Sequence, residues 1–183
     1  MRNTLLRMLA ALMCALTVCA DVTPVTDFDL QKMTGKWYTL ALATNAEWFV
    51  SNKAGMKTGT AVVVPLEGGD MELTYASLKD DGSCYRVGHT AQKTETLGRF
   101  TFHSQAWNND NVLTIVDVVY NDYALVNTIK TKDGVSEAFV ALYCRATEAS
   151  EVVQQKFTQL SLDAAILPDN IVILQKSAEC PEV

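Results

Sequence analysis

Three cysteines beyond position 20 are the residues of this chain best suited to covalent chemistry. Cys84 follows the turn KDDGS and Cys180 lies in the polar tail SAECPEV, so both are expected to be accessible. Cys144 lies in the apolar run AFVALYCRA and is expected to be buried. In an oxidising compartment one pair should close, and of the three possible pairings we favour Cys84–Cys180. Cys144 is then a free structural thiol in a monomer; a covalent dimer through Cys144 is the alternative.

The other residues with catalytic or metal-binding side chains form no recognisable motif. His89 and His103 are fourteen residues apart without clustered acids, so neither a metal site nor a cofactor is expected. Beyond position 20 the sequence contains no G-x-S-x-G, H-E-x-x-H or C-x-x-C pattern. Hydrolase, metalloprotease and dithiol chemistry are therefore not indicated.

The first twenty residues have the pattern of a secretory signal peptide. Arg2 and Arg7 come before an apolar run, residues 8–18, and a small-residue ending predicts cleavage after Ala20. The run is too short to span a bilayer comfortably, which disfavours a membrane anchor. Residues 21–183 are expected to form one secreted domain. Without the two arginines, 13 basic residues face 21 acidic ones, and a net charge near −8 (13 − 21) disfavours nucleic acid and anionic membranes as partners.

A series of short β-rich runs must position these side chains. Turn signals rich in Gly, Asn and Asp separate the runs, which is typical of antiparallel hairpins. Eight such strands at even spacing predict a sandwich or an up-and-down barrel. The predicted strands are GKWYTLALAT, GTAVVVPLE, DMELTYASLK, CYRVGHTAQ, GRFTFHSQAW, NVLTIVDVVY, DYALVNTIK and SEAFVALYCR.

Three further segments lie outside these eight strands. A helix is predicted with Thr147 as its N-cap and an apolar face that includes Val153 and Phe157. A short last strand is predicted at residues 171–174. The connection 45–57, after the first strand, is long enough to act as a lid.

The first and eighth strands indicate where an internal cavity could lie. In the first strand, alternation places Trp37, Thr39 and Ala41 on one face. A large ring followed by small side chains leaves space above the ring. Both faces of the eighth strand are apolar, which predicts that both are covered. The face with Tyr143 is predicted to line a lumen, and the face with Cys144 to lie beneath the helix.

Three segments together resemble the signature segments of the lipocalins. GKW opens the first strand, YNDYAL joins the sixth and seventh, and LYCRA ends the eighth. The likeness runs from about residue 28 to the C terminus and is greatest to the branch containing lipocalin-type prostaglandin-D synthase and α1-microglobulin. It implies an all-β fold: an eight-stranded antiparallel up-and-down barrel with one C-terminal α-helix packed on its outside. It also implies that Trp37 plugs the closed end and that Arg145 lies across it as a structural pair.

Alternation combined with this fold predicts the side chains that face the lumen. Their wall is mostly apolar with a few hydroxyl groups, as in pockets for lipophilic ligands. The alternative is a lumen filled by its own side chains. The predicted ligand-binding residues are Thr39, Ala41, Gly59, Ala61, Val63, Leu73, Tyr75, Ser77, Phe139, Ala141 and Tyr143.

The resemblance implies a secreted carrier that encloses a small hydrophobic ligand such as a retinoid, fatty acid, prostanoid or tetrapyrrole-like molecule. The alternative is a prostaglandin-H2 D-isomerase, since the synthase relatives use a thiol nucleophile on the second strand. The matching position here is Gly59, which has no side chain, so catalysis is not expected. A third interpretation is a protein-binding module that acts through its outer surface and Cys144.

Overall fold

The computed structural model describes residues 22–181, so the predicted signal peptide, residues 1–20, lies outside the described residues. No helix within 22–181 is long and apolar enough to cross a membrane. The helices are α1 (Leu30–Met33), α2 (Glu47–Asn52) and α3 (Glu151–Asp163), with 3-10 turns at Lys53–Gly55, Glu67–Gly69 and Pro168–Asn170. The strands are β1 (Gly35–Thr44), β2 (Gly59–Pro65), β3 (Met71–Leu78), β4 (Cys84–Lys93), β5 (Arg99–Ser104), β6 (Asn109–Val119), β7 (Tyr123–Lys132), β8 (Val135–Cys144) and β9 (Ile171–Ile173).

The strands form one antiparallel sheet that closes on itself. Each strand from β2 to β8 pairs with the next, β8 pairs with β1, and β1 pairs back with β2. Gly35 lies opposite Val63 and Thr39 opposite Gly59, so this closure joins β2 to the first half of β1. The second half of β1 pairs instead with β9. The prediction of an eight-stranded antiparallel barrel with a C-terminal helix is confirmed, and the short last strand predicted at residues 171–174 is present as β9.

A β-bulge in β1 changes which side chains face the lumen. Thr39 points inwards, but Leu40 is an extra residue, and the pairing with β8 resumes with Ala41 opposite Leu142. Beyond the bulge the alternation is reversed, because one residue has been inserted into a pattern of period two. Leu42 therefore faces the lumen, and Ala41 is buried with Leu142 on the helix side of the wall. The expectation that Ala41 lines the lumen is wrong.

Helix α3 begins after Ser150 rather than after Thr147. The Ser150 backbone is extended, with φ −63° and ψ 156°, and its Oγ accepts a hydrogen bond from the Val153 backbone N–H at 3.4 Å. This is the geometry of an N-cap, which satisfies an amide that has no partner within the helix. The predicted cap at Thr147 is wrong, because a better-placed hydroxyl follows three residues later.

The side chains between α3 and the barrel wall form an outer core. Val153 and Phe157 of the helix contact the outward faces of β1 and β8. Cys144 is buried beneath the helix and is a free thiol, as predicted. The members of this core are Leu40, Ala41, Ala43, Tyr123, Leu125, Val140, Leu142, Cys144, Val153, Phe157 and Ile166.

The C-terminal tail, residues 176–181, crosses the outer side of the barrel from β1 to β4. Glu179 accepts a hydrogen bond from Lys36 Nζ on β1 at 2.8 Å. A disulfide joins Cys180 to Cys84 at the start of β4, so the predicted pairing is confirmed. The tail therefore links strands on both sides of the β1–β2 closure.

Candidate functional site

The closed end of the barrel is built around Trp37 and Arg145. The guanidinium carbon lies 3.7 Å from the centroid of the Trp37 ring. Arg145 donates hydrogen bonds to the carbonyls of Lys36 and Tyr120 at 2.8 and 3.0 Å. The indole Nε1 donates to the Met33 carbonyl at 2.8 Å. The polar groups are satisfied while the ring is buried, so this pair, placed as the resemblance implies, supports the fold.

Gly35 explains why the first strand opens with a glycine. Its φ is +97°, a left-handed conformation that side chains oppose and glycine adopts readily. A Cβ at this position would lie 3.5 Å from Arg145 Nη1, an ordinary contact distance, so the backbone conformation and not space is the constraint. The glycine thus makes the turn into β1 that a side chain would strain.

The floor cluster is the apolar lower half of the lumen. It encloses a cavity of about 30 Å³, room for about one water molecule and far below the volume of a lipid. The space predicted above Trp37 is therefore mostly filled, because Phe28 and Met33 enter from the closed end. The alternative of a self-filled lumen holds for this half. The floor cluster comprises Met33, Trp37, Val63, Met71, Ala91, Phe100, Leu113, Ile115, Ala124 and Val126.

Apart from Ala41, the predicted lining residues lie on the lumen face of the barrel. Strand pairing places them at increasing distance from the floor, and whether they contact a ligand stays a prediction. Pairing sets Val63 opposite Leu73, Ala61 opposite Tyr75, and Thr39 opposite both Gly59 and Tyr143, while Ser77, Ala141 and Phe139 lie towards the open end.

Tyr75 occupies the space beside Gly59. A Cβ added to Gly59 would lie 2.7 Å from both the Tyr75 hydroxyl and the Ala76 carbonyl oxygen, closer than real Cβ contacts. Tyr75 hydrogen-bonds with Ser77, and burial raises the pKa of Tyr75. The position of the synthase thiol is thus filled by a neutral phenol from the next strand. The buried Thr39 Oγ1 has no hydrogen-bond partner within residues 22–181.

The mouth cluster surrounds a lysine near the open end of the lumen. Lys130 Nζ lies 5.0 Å from the ring centroid of Phe139 and 5.4 Å from that of Trp107. It donates a hydrogen bond to Asn111 Oδ1 at 3.3 Å. Burial lowers the pKa of Lys130 to about 8. No ion pair found within residues 22–181 includes this lysine. We define the mouth cluster as Lys130, Asn111, Phe139, Trp107 and His89.

His89 closes the barrel wall where strand pairing is missing. The strands β4 and β5 share two residue pairs, both near the closed end, which leaves a gap in their ladder towards the mouth. The His89 ring stacks on Phe102 across this β4–β5 gap at 4.7 Å and lies 6.1 Å from Trp107. Burial and the nearby charge of Lys130 lower the pKa of His89. At pH 7 this imidazole is therefore mainly neutral.

Helix α2 and the 3-10 turn after it cover the open end. Phe49 is buried beneath them against Leu42 and Ala141. Trp48 stacks on Phe139 with 6.3 Å between ring centroids but remains 48% exposed. Trp107, in the turn between β5 and β6, is 44% exposed. The segment predicted as a lid therefore covers the mouth with one anchored and one half-exposed ring.

Lys130, His89 and Trp107 were not among the predicted site residues. Alternation could have identified Lys130, because it shares a face of β7 with Val126, which lines the floor cavity. The same argument applies to His89, which lies two residues from Ala91 of the floor cluster. Trp107 lies in a turn, where alternation gives no direction.

Cys144 is a poor candidate for thiol chemistry. It is buried beneath α3, and burial together with the negative charge of Asp122 raises its pKa to about 12. The thiol is therefore protonated and unreactive at neutral pH. Within residues 22–181, no group of three His, Cys, Asp or Glu side chains is placed to hold a metal ion.

Comparisons with known sequences agree with this barrel. Residues 34–178 match the Lipocalin / cytosolic fatty-acid binding protein family. A protein named lipocalin from Rhinella marina is 34% identical over 180 residues, which is 98% of each chain. A prostaglandin-H2 D-isomerase from Felis catus is 30% identical over 164 residues, 89% of this chain and 85% of the relative. An extracellular fatty acid-binding protein from Gallus gallus is 29% identical over 181 residues, 98% and 97% of the two chains.

A solved structure has the same fold. It is described by the statement that "The Siderocalin Ex-FABP functions through dual ligand specificities" and shares 26% sequence identity with this chain. The superposition covers 82% of this chain and 99% of the other, with a TM-score of 0.71. The family match spans most of the sequence, and the chain therefore belongs to the Lipocalin / cytosolic fatty-acid binding protein family.

Proposed function

We propose that this protein is a secreted carrier for a small hydrophobic ligand with an anionic head group. The observation that carries this proposal is Lys130, a partly buried lysine on the lumen face of β7 without an ion-pair partner within residues 22–181. A buried ammonium is costly unless it is paired, and the neutral amide of Asn111 is a weak substitute for a carboxylate. A ligand acid would supply the missing charge.

The rest of the lumen fits the apolar part of such a ligand. The walls below Lys130 carry Leu42, Phe139 and Ala141, and the floor cluster follows beneath them. The cavity of about 30 Å³ cannot hold a lipid chain, so we infer that the mouth side chains move when ligand enters. Trp48 and Trp107 are half exposed. Trp48 stacks on Phe139 and Trp107 lies beside the Lys130 amine, the groups that the ligand would displace.

Secretion and the ligand class also draw support from the relatives. The relatives from Gallus gallus and Coturnix japonica are named extracellular fatty acid-binding proteins. We infer that this chain is likewise exported, in line with the signal-like pattern of residues 1–20. A fatty acid is the simplest molecule that combines an apolar chain with the anion that Lys130 lacks, and retinoic acid or a prostanoid has the same combination.

Two ligands that differ in charge test whether Lys130 binds an anionic head group. Retinoic acid and retinol share one polyene but differ in the carboxylate, and binding of each is followed by quenching of tryptophan fluorescence. In Lys130→Met the Kd for retinoic acid should rise about tenfold or more, because a charged hydrogen bond is lost, while the Kd for retinol stays within about twofold. Lys132→Met is the matched control, since it removes a charge from the exposed end of the same strand. Equal effects on both ligands, or no saturable binding of either, would contradict the proposal.

We also propose that the chain carries its ligand without transforming it. The synthase thiol position is Gly59, the Tyr75 hydroxyl fills the space beside it, and Cys144 lies outside the lumen under α3. The test is an assay of purified protein with prostaglandin H2 and a thiol cofactor, beside Cys144→Ser. We expect no turnover above the spontaneous rate in either protein. Turnover that Cys144→Ser abolishes would show that this placement of the thiol is wrong.

We propose a monomeric state, because the free thiol is buried. Non-reducing electrophoresis of secreted protein should show one band at the monomer position. A disulfide-linked dimer that Cys144→Ser removes would favour a protein-binding role for the outer surface instead.

A further inference from the structure

The surroundings of Lys130 differ from those of a surface lysine in ways that matter for covalent chemistry. Its amine lies between the faces of Phe139 and Trp107, at 5.0 and 5.4 Å. Asn111 Oδ1 accepts its hydrogen bond at 3.3 Å, and this contact orients the nitrogen without supplying a negative charge. Glu137 lies opposite on β8 but is exposed and forms no ion pair with Lys130 within residues 22–181.

This environment favours the neutral, nucleophilic form of the amine. Burial lowers the pKa of Lys130 to about 8, so a larger fraction of the molecules carries a free amine at pH 7.4 than for an exposed lysine. For an exposed lysine the fraction is about one in a thousand. Desolvated lysines in apolar pockets are the ones that form Schiff bases with carbonyl compounds. A lumen that admits apolar ligands would bring such a compound to this nitrogen.

We propose that Lys130 captures small apolar aldehydes in the lumen as a Schiff base. The nitrogen lone pair attacks the aldehyde carbon, the N–C bond forms, and the carbonyl oxygen takes up a proton to give a carbinolamine. The hydroxyl then leaves as water while the nitrogen loses a proton, and a C=N bond remains. One aldehyde and one amine give one imine and one water, so neither an oxidant nor a reductant is needed.

The mouth cluster contributes to both steps. His89 and Lys130 both border the Trp107 ring, at 6.1 and 5.4 Å, and the mainly neutral imidazole can accept through water the proton that the amine releases. The aromatic faces of Phe139 and Trp107 limit access of water to the nitrogen, which disfavours hydrolysis of the imine. The ligand chain extends from Lys130 towards the apolar residues below. The class captured is therefore an aldehyde with an apolar alkyl or polyene chain and no bulky polar head.

The capture rests on the proposed function, since it needs a lumen that admits an apolar ligand. The two roles use different protonation states of one side chain. The ammonium holds an acid, and the free amine attacks an aldehyde. A fatty acid of matching length should therefore compete with the aldehyde for the site.

Trapping with a mild reductant tests the capture. The full secreted chain is incubated with decanal and sodium cyanoborohydride at pH 7.4, and intact and peptide mass spectrometry locate the reduced adduct. We expect one adduct per chain, on Lys130, forming about tenfold or more faster than on any exposed lysine because more of its amine is neutral. Decanoic acid in excess should slow it, and decanol should slow it less.

Matched variants separate this reaction from general lysine chemistry. Lys130→Arg keeps a positive charge in the mouth and should abolish the fast adduct, whereas Lys132→Arg should leave it unchanged; urea unfolding of both variants verifies that they are folded. Adducts spread over exposed lysines, or a fast adduct that persists in Lys130→Arg, would overturn the inference. If decanoic acid binds in a Lys130-dependent manner while no selective adduct forms, capture fails and the carrier proposal stands. If neither decanoic acid nor decanal occupies the lumen, both fail.

Discussion

The two ends of the lumen differ in how their polar groups are satisfied. In the floor cluster the ring of Trp37 is buried and its polar neighbours are satisfied, since Arg145 and the indole N–H donate to backbone carbonyls. In the mouth cluster Lys130 is partly buried, with one hydrogen bond to a neutral amide and no ion pair within residues 22–181. The floor is stabilised by contacts within the protein, whereas at the mouth the charge of Lys130 is left for a ligand to compensate.

This contrast shows which part of a barrel interior is structural and which part is available to a ligand. Apolar lining alone does not separate the two, because both ends are rich in aromatic and aliphatic groups. The difference lies in how each cation is held: Arg145 donates several hydrogen bonds to carbonyls, whereas Lys130 donates one to a neutral amide. Proteins tend to break the rule of satisfied burial at functional sites, where a ligand completes the arrangement.

The floor should carry most of the stability, and Trp37→Ala is the strongest test of this. Removing a fully buried ring leaves a cavity and should lower the free energy of unfolding by about 3–5 kcal/mol. Urea unfolding followed by circular dichroism measures the change. The half-exposed Trp48 is the control, and Trp48→Ala should cost about 1 kcal/mol or less. Similar losses for the two substitutions would remove the distinction between floor and mouth.

The mouth should behave in the opposite way, and Lys130→Met should stabilise the ligand-free protein at neutral pH. Burial lowers the pKa of Lys130 to about 8 in the folded state, whereas the unfolded chain has the ordinary value of 10.5. The cost of burying the charged amine is therefore complete below pH 8. Between pH 8 and 10.5 the unfolded state binds more protons than the folded state, so the stability of the unmodified protein rises with pH and the cost disappears. At pH 7 the variant should be more stable than the unmodified protein by about 3 kcal/mol.

The measurement is urea unfolding of both proteins at pH 7, 9 and 10. The stability difference should shrink steadily over this range, and the comparison with the variant cancels the titration of tyrosines. Lys132→Met should show no such trend, since that lysine is exposed. A difference independent of pH would mean that Lys130 is neutral or paired in the folded state.

The bulge in β1 supplies a smaller and more local test. Ala41 faces the helix side and Ala61 lines the floor cavity. Ala41→Leu should overpack the outer core and cost about 1–3 kcal/mol, while the Kd for retinoic acid stays within about twofold. Ala61→Leu should raise that Kd, because the added side chain fills the space above Trp37. The reverse result, with binding sensitive only to residue 41, would show that the register assigned to β1 is wrong.

Much of the fold could be predicted because its signals are local. Turn residues between alternating apolar runs defined the strands, and the exposed contexts of Cys84 and Cys180 indicated the disulfide that forms. The bulge at Leu40 carries no such signal, so the same alternation that placed Thr39 correctly placed Ala41 on the wrong face. The N-cap was misplaced for a related reason, because Thr147 and Ser150 are both acceptable caps by residue type.

The mouth was harder to predict because distant segments meet there. Lys130 of β7, Asn111 of β6 and His89 of β4 come together with Trp107 from a turn. A lysine near the end of a strand is usually solvated, and nothing in its own neighbourhood indicates burial. Its environment is set by the rings of Trp107 and Phe139, which close over it only in the folded barrel.

The disulfide-linked tail makes the barrel mechanically uneven around its circumference. Through Glu179 and Cys180 the tail fastens β1 to β4, so these four strands form a reinforced arc. Immediately beside that arc, β4 and β5 are held near the mouth by the contact of His89 with Phe102 rather than by a backbone ladder. We expect local opening to be most frequent at this gap. The amide hydrogens on the facing edges of β4 and β5 should therefore exchange with deuterium well before those of β2 and β3.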